Sequence, residues 1–270
     1  MSGTFFREKV MKKHSDPHLK KLPKLVKNYI EHLEQVRSDF VANVSHELRT
    51  PLTVIQGYLE TLIENKLPDK KTLNKIFIQM YQHSFRMADI IEDLLLLSHL
   101  ESEDHLSDER KGIKVADILK TIKLDAKNLS GEKQHKINLK ADARVLLNGA
   151  ESELRSLFSN IIVNAIKYTP NKGSIHIEWY GDSHGQGIFR VADTGIGIAK
   201  EHLPRITERF YRVDRARSRE RGGTGLGLAI VKHVLLRHHG QLEIESVPDK
   251  GSTFTCVFPK ERIILLPPQA

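Results

Sequence analysis

Residues 40–53 read Phe40-Val41-Ala42-Asn43-Val44-Ser45-His46-Glu47-Leu48-Arg49-Thr50-Pro51-Leu52-Thr53. They decide how the first hundred residues fold. Val44 and Leu48 lie four apart, and that spacing continues both ways. Leu22, Val26, Tyr29, Leu33, Val36 and Phe40 precede them, and Leu52, Ile55, Leu59 and Leu62 follow. Apolar residues every three or four positions over this length predict an amphipathic or coiled-coil helix. At 100° per residue His46 falls opposite the apolar seam, with Glu47 beside it and Thr50 one turn later. Pro51 lacks an N–H and crowds the carbonyl of Glu47, so a local kink is expected there. An exposed His next to a carboxylate suits a nucleophile with a general base. A plain surface His fits the same residues. The zinc motif His-Glu-x-x-His is excluded, because Thr50 stands where the second His belongs.

Downstream, Asn65 to Lys71 with Pro68-Asp69 reads as a turn. A second stripe follows it: Ile76, Met80, His83 or Ser84, Met87, Ile90, Leu94 and Leu97. The two make a helical hairpin. Two helices with one wide apolar stripe each cannot bury both. A four-helix bundle from two chains can; packing on the rest of the same chain is the alternative. Ser102 to Gly112 is polar and reads as a linker. Beyond it the period changes. Helices are predicted over Val115–Leu129, Leu154–Tyr168 and Leu226–His238. Strands are predicted over His135–Lys140, Arg144–Leu147, Ser174–Tyr180, Gln186–Ala192, Gln241–Ser246 and Ser252–Phe258, with a turn at Pro248-Asp249-Lys250-Gly251. Helices mixed with hairpins suggest a two-layer α+β sandwich.

The chain has 270 residues, 39% of them hydrophobic, and a net charge of +8. That is enough for one or two domains with real cores. The single Cys256 excludes a disulfide framework and a zinc ribbon. No apolar run approaches the roughly 20 residues of a membrane span, and no signal-peptide core follows Met1. A soluble intracellular chain, or a soluble piece of a larger one, is therefore expected. The basic excess sits in two clusters, residues 1–40 and Arg205 to Arg221. The second is too polar for a core and reads as a mobile lid over phosphates. The first reads as a solvated linker near a membrane, with nucleic acid as the less favoured reading.

Four segments of the second half carry chemistry. Asn160, Asn164 and Lys167 share one helix face by i, i+4, i+7 spacing. Amide oxygens suit Mg²⁺, and a lysine suits phosphate. In Asp193-Thr194-Gly195-Ile196-Gly197 the glycines permit close backbone approach to a ligand. Asp193 can accept a hydrogen bond from an exocyclic amine such as that of adenine. Gly223-Thr224-Gly225-Leu226-Gly227 opens a helix, where backbone N–H groups favour an anion. It is neither a Walker loop, lacking Gly-Lys-Ser/Thr, nor a Rossmann turn, which would follow a strand. Between the glycine segments lies Glu208-Arg209-Phe210-Tyr211-Arg212.

Residues 40–53 resemble the H-box of sensor histidine kinases. The four later segments resemble the N-box, first glycine box, F-box and second glycine box of the ATP-binding domain of that family, a fold shared with gyrase-type and Hsp90-type ATPases. All five occur in family order between residue 38 and about 260. Thr207 stands where many relatives carry Phe. The F-box and the run Gly223 to His233 look most like the phosphate-regulon branch.

The resemblance implies His46 as phosphoacceptor, Glu47 as base, and Thr50 positioning a water for phosphatase activity. It implies an ATP site built from Asn160, Asn164, Lys167, Tyr168, Asp193, Gly195, Gly197, Arg212, Gly223, Thr224, Gly225, Leu226 and Gly227, with Mg²⁺ on Asn164. The expected fold is α+β: a helical hairpin forming a dimeric four-helix bundle, then a two-layer α/β sandwich that binds ATP. The expected divisions are 1–37 as linker and incoming helix, 38–104 as dimerisation and phosphotransfer domain, 105–262 as catalytic domain and 263–270 as a C-terminal tail. A homodimer and a response-regulator receiver domain are the expected partners, without nucleic acid. The expected location is the cytoplasmic side of the cell membrane, reached through segments outside this chain. A clamp ATPase without histidine phosphorylation is the alternative in another class, and a nucleotide-binding scaffold without activity a third.

Overall fold

The computed structural model describes residues 23–64, 68–101, 112–213 and 223–267. Most of the first basic cluster, residues 102–111 of the expected linker at 102–112, and Arg215, Arg217 and Arg219 of the expected lid lie outside the described residues; Gly112 of that linker belongs to a strand. The chain divides between Thr50 and Pro51 into two units.

Helix α1 (Lys24–Glu64) runs unbroken through Pro51. In its first unit Val26, Tyr29, Leu33, Val36 and Val41 are exposed. The Ser45 hydroxyl donates to the carbonyl of Val41 at 2.8 Å. Helix α2 (Lys70–Glu101) opens on Asp69, whose carboxylate accepts the N–H groups of Lys71 at 2.9 Å and Thr72 at 3.1 Å. Such a cap satisfies donors that a helix end otherwise leaves bare. Ile76, Ile90, Leu97 and Leu100 of α2 are buried, while Phe77, Ile78, Tyr81, Phe85, Ile91 and Leu95 are exposed.

The remainder of the second unit is the expected sandwich. In chain order it comprises β1 (Gly112–Ile113), α3 (Val115–Ser130), β2 (Lys136–Ala141), β3 (Val145–Asn148), α4 (Glu151–Tyr168), β4 (Ser174–Gly181), β5 (Gly187–Asp193), α5 (Gly227–Arg237), β6 (Gln241–Val247), β7 (Gly251–Phe258) and β8 (Ile263–Leu265). Five strands form one sheet in the order β2-β4-β5-β7-β6. Only the β2–β4 pair is parallel. A second sheet orders β1-β3-β8, all antiparallel. Residues 263–265, expected in a tail, therefore form a strand, with Val145 opposite Leu265 and Leu147 opposite Ile263.

The core lies between helices and sheet. Phe158 of α4 meets Phe189 edge-on, with centroids 4.6 Å apart, and Trp179 packs on Phe258 at 6.1 Å. Trp179 is buried, and its indole N–H donates to the Val145 carbonyl at 2.9 Å. This satisfies its one donor and ties the two sheets together. Leu97 and Leu100 of α2 join this core.

Candidate active site

In the first unit His46 is exposed, as the stripe requires, with Glu47 half-buried next to it. The exposed Thr50 hydroxyl donates to the His46 carbonyl at 3.2 Å. Mid-helix threonines often bond back in this way.

In the second unit a cavity of about 400 Å³ opens between α4, the end of β5 and β7. Asn164, Ala165 and Tyr168 line it from α4, Asp193, Ile196, Gly197 and Ile198 from the β5 end, and Ser252 and Phe254 from β7. Ile206, Tyr211, Arg212, Val213, Leu228 and Asp249 complete the walls. Ala165, Ile206 and Phe254 are buried, giving an apolar floor suited to a flat heterocycle. Asp193 stands at its polar end. Burial pushes its carboxyl above the usual range, opposed by the N–H groups of Gly195 and Ser252. Gly195 donates to its Oδ1 at 2.7 Å.

The loop after Asp193 is stitched to the β6–β7 turn. Asp249 N–H donates to the Ile196 carbonyl at 2.8 Å, and Ile198 N–H to the Ser246 hydroxyl at 2.7 Å. Gly197 has φ +67°, and a side chain there would run into the Val247 carbonyl. Glycine is therefore required by conformation and by space.

The segment from His202 to Tyr211 is also fixed. Tyr211 OH and His202 Nδ1 share a hydrogen bond of 2.8 Å, and the Arg205 guanidinium lies 4.4 Å from the Tyr211 ring centre. Arg205 in turn pairs with Glu208 at 3.1 Å. Helix α5 opens beneath Thr224, whose hydroxyl accepts the Leu226 N–H at 3.2 Å.

The cavity gathers Asn164, Tyr168, Asp193, Gly197 and Arg212 from the expected set. Asn160, Lys167, Gly195 and the residues Gly223 to Gly227 stand outside its lining. Asn160 donates to the Ser156 carbonyl at 3.0 Å and packs against Gly227, which leaves no room for a side chain at that glycine. It thus buttresses the start of α5. Burial lowers the pKa of Lys167, opposed by the charges of Asp89 and Asp93 on α2. Sequence reasoning missed Tyr211, Ser252 and Phe254. The alternation of Ser252–Phe258 marks a strand but not which strand end meets a ligand.

Among the described residues no three His, Cys, Asp or Glu side chains stand close enough to hold a metal alone. Asn164 offers one neutral oxygen donor at the cavity wall. That donor set fits Mg²⁺, which takes few protein ligands and completes its shell from phosphates and water.

The comparisons with known proteins agree with this fold. Residues 36–103 match the His Kinase A (phospho-acceptor) domain, and residues 149–262 match the histidine kinase-, DNA gyrase B- and HSP90-like ATPase. The chain is 55% identical over 229 residues to the phosphate regulon sensor protein PhoR of Pseudomonas aeruginosa, covering 85% of this chain and 51% of that protein. It is 42% identical over 234 residues to PhoR of Haemophilus influenzae, covering 86% and 54%. It spans about half the length of these relatives. The Acinetobacter baumannii histidine kinase AdeS shares the fold, with TM-score 0.64 and 23% identity over 80% of this chain and 98% of that one. ShkA, solved with AMPPNP, does so with TM-score 0.60 and 24% identity over 82% and 45%. With a phospho-acceptor domain and this ATPase domain in family order, the chain belongs to the sensor histidine kinases.

Proposed function

We propose that this chain is the kinase core of a two-component sensor. It transfers the γ-phosphoryl group of ATP to His46 and passes it on to a receiver aspartate. The observation that carries the reading is the cavity in which a half-buried Asp193, an amide oxygen at Asn164 and a cation at Arg212 share one wall system. Asp193 recognises the adenine amine, and the apolar floor takes the ring. Arg212 faces the phosphates, and Asn164 would hold Mg²⁺, which when bound would neutralise charge on the phosphate oxygens. An unprotonated ring nitrogen of His46 attacks the γ-phosphorus, the P–O bond to ADP breaks, and Glu47 takes the proton from the ring's other nitrogen. Residues 38–104 act as the dimerisation and phosphotransfer domain and residues 105–262 as the catalytic domain.

The exposed residues Phe77, Tyr81, Ile91 and Leu95 on α2 support a homodimer through the hairpin, since a large exposed apolar face marks an interface. No described helix is long and apolar enough to cross a membrane. The likeness to PhoR supports a role in phosphate regulation, in a sensor that reaches the cytoplasmic face of the membrane through further segments. Incubation with γ-labelled Mg·ATP tests the reading. Stable protein-bound label is expected; release of free phosphate alone would identify a clamp ATPase instead.

A further inference from the structure

Helix α2 carries an acidic pair that the proposed reaction does not use. The Thr224 hydroxyl donates to Asp93 Oδ2 at 3.3 Å, across to the segment that opens α5. Burial pushes the Lys167 ammonium below its usual range, and the charges of Asp89 and Asp93, one turn apart on α2, act on it in the opposite direction. Of the two residues expected to meet phosphates, Thr224 is thus bonded to Asp93, and Lys167 feels the charge of both aspartates.

Other ties keep α2 in this place. Arg237 of α5 donates to the His99 carbonyl at 3.3 Å. Glu101 pairs with Arg209 and, at 3.3 Å, with His233. Leu97 and Leu100 are buried in the sandwich core. The acidic pair is therefore presented to the phosphate end by a docked helix, not by a loose side chain.

We infer that Asp89 and Asp93 form a latch that competes with nucleotide phosphates for Lys167 and Thr224, so that phosphate binding and the docked position of α2 oppose each other. The inference rests on the nucleotide reading of the cavity. A carboxylate on a lysine and a hydroxyl mimics part of what a phosphate would ask of them. Two carboxylates next to an incoming polyanion repel it. Docking and phosphate binding are then linked, each weakening the other by one factor.

Asp93 is the member of the latch that pH can switch. Burial pushes the Asp93 carboxyl up to about 6, helped by Asp89 and Glu92 and opposed by Thr224 and Lys167. Arg86 on α2 and Arg212 at the cavity also face Lys167. Lower pH protonates Asp93 and loosens the latch.

The test compares Mg·ATP with adenosine on the full chain. The Asp89→Asn/Asp93→Asn variant keeps side-chain size and is expected to bind Mg·ATP at least about fivefold tighter. Its affinity for adenosine, which has no phosphates, stays the same. Asp93→Ala, which also removes the Thr224 bond, tightens Mg·ATP as well. The gap between wild type and the double variant narrows from about pH 8 to about pH 5.5. Unchanged or weaker Mg·ATP binding in both variants would overturn the latch, as would equal tightening of adenosine. Failure of the wild type to bind either ligand would overturn the nucleotide reading itself.

Discussion

Gly225 lies directly on the backbone of Phe210. The Phe210 N–H donates to the Gly225 carbonyl at 2.8 Å, and a Cβ on Gly225 would stand 2.8 Å from the Phe210 Cα. Gly225 has φ +76° and Phe210 φ 61°. The two ends of the segment 211–224 are therefore clasped at one point, next to the cavity wall formed by Tyr211 and Arg212.

Gly225→Ala breaks that clasp. The left-handed conformation alone costs a side chain about 1–2 kcal/mol, and the contact with Phe210 adds to it. Mg·ATP affinity is expected to fall about tenfold or more. The melting temperature should fall by only a few degrees, because the neighbouring Leu226 stays anchored in the core. Calorimetric titration and a thermal scan on the same sample check both. A large drop in melting temperature would place Gly225 in the fold instead.

Asn164→Asp replaces a neutral oxygen donor at the cavity wall with a carboxylate beside the phosphates. Autophosphorylation should fall by more than about a hundredfold, while circular dichroism stays that of the wild type, since the position faces the cavity. Retained activity in Mg²⁺ would contradict the assigned role.

Glu47 and Thr50 separate two activities of one helix. Positioned bases contribute about 10²–10⁴-fold, so Glu47→Ala should slow autophosphorylation on that order. The Thr50 hydroxyl has no proton to take from His46, and here it donates to the His46 carbonyl. For phosphatase work it must turn from that bond to a water at a docked phospho-aspartate. Thr50→Ala is expected to keep autophosphorylation and to slow dephosphorylation of the regulator. Equal rates for both would leave the hydroxyl with only its helix bond.

His238 gives a stability signature. It is fully buried, its Nδ1 shares a hydrogen bond of 2.8 Å with the Val234 carbonyl, and burial lowers its pKa to about 4. The unfolded chain, with a His near 6.5, binds more protons between those values. The stabilisation is complete above about pH 6.5 and is lost as pH falls towards about 4. Glu153, raised by burial, has the opposite sign. His238→Gln should therefore unfold with a shallower loss on acidification than wild type, read as denaturant midpoints across that window. Parallel slopes would contradict a buried neutral imidazole.

Much of this was legible in the chain. The stripe from Leu22 to Leu62 gave α1, and the glycine spacing after Asp193 gave the turn that lines the cavity. The alternation of Ser174–Tyr180 and Gln186–Ala192 gave the central hairpin. Strands β1 and β8 were not legible, because two or three residues carry no period and exist only through pairing with β3. Asp93 was not legible either. It sits on the polar side of an amphipathic helix, and only the docking of α2 shows that Thr224 meets it. Asn160 has the spacing of a ligand-facing residue, and its amide N–H donates to Ser156 while its side chain packs on Gly227.

The central claim is that His46 receives the phosphoryl group. The direct measurement is the site and linkage of label after incubation with γ-labelled Mg·ATP, on wild type and His46→Gln. The account predicts label on His46 that survives base and is lost in acid, as expected of a phosphoramidate. It predicts no label on His46→Gln, with Mg·ATP affinity unchanged. Equal labelling of His46→Gln, or label on a hydroxyl side chain, would contradict it.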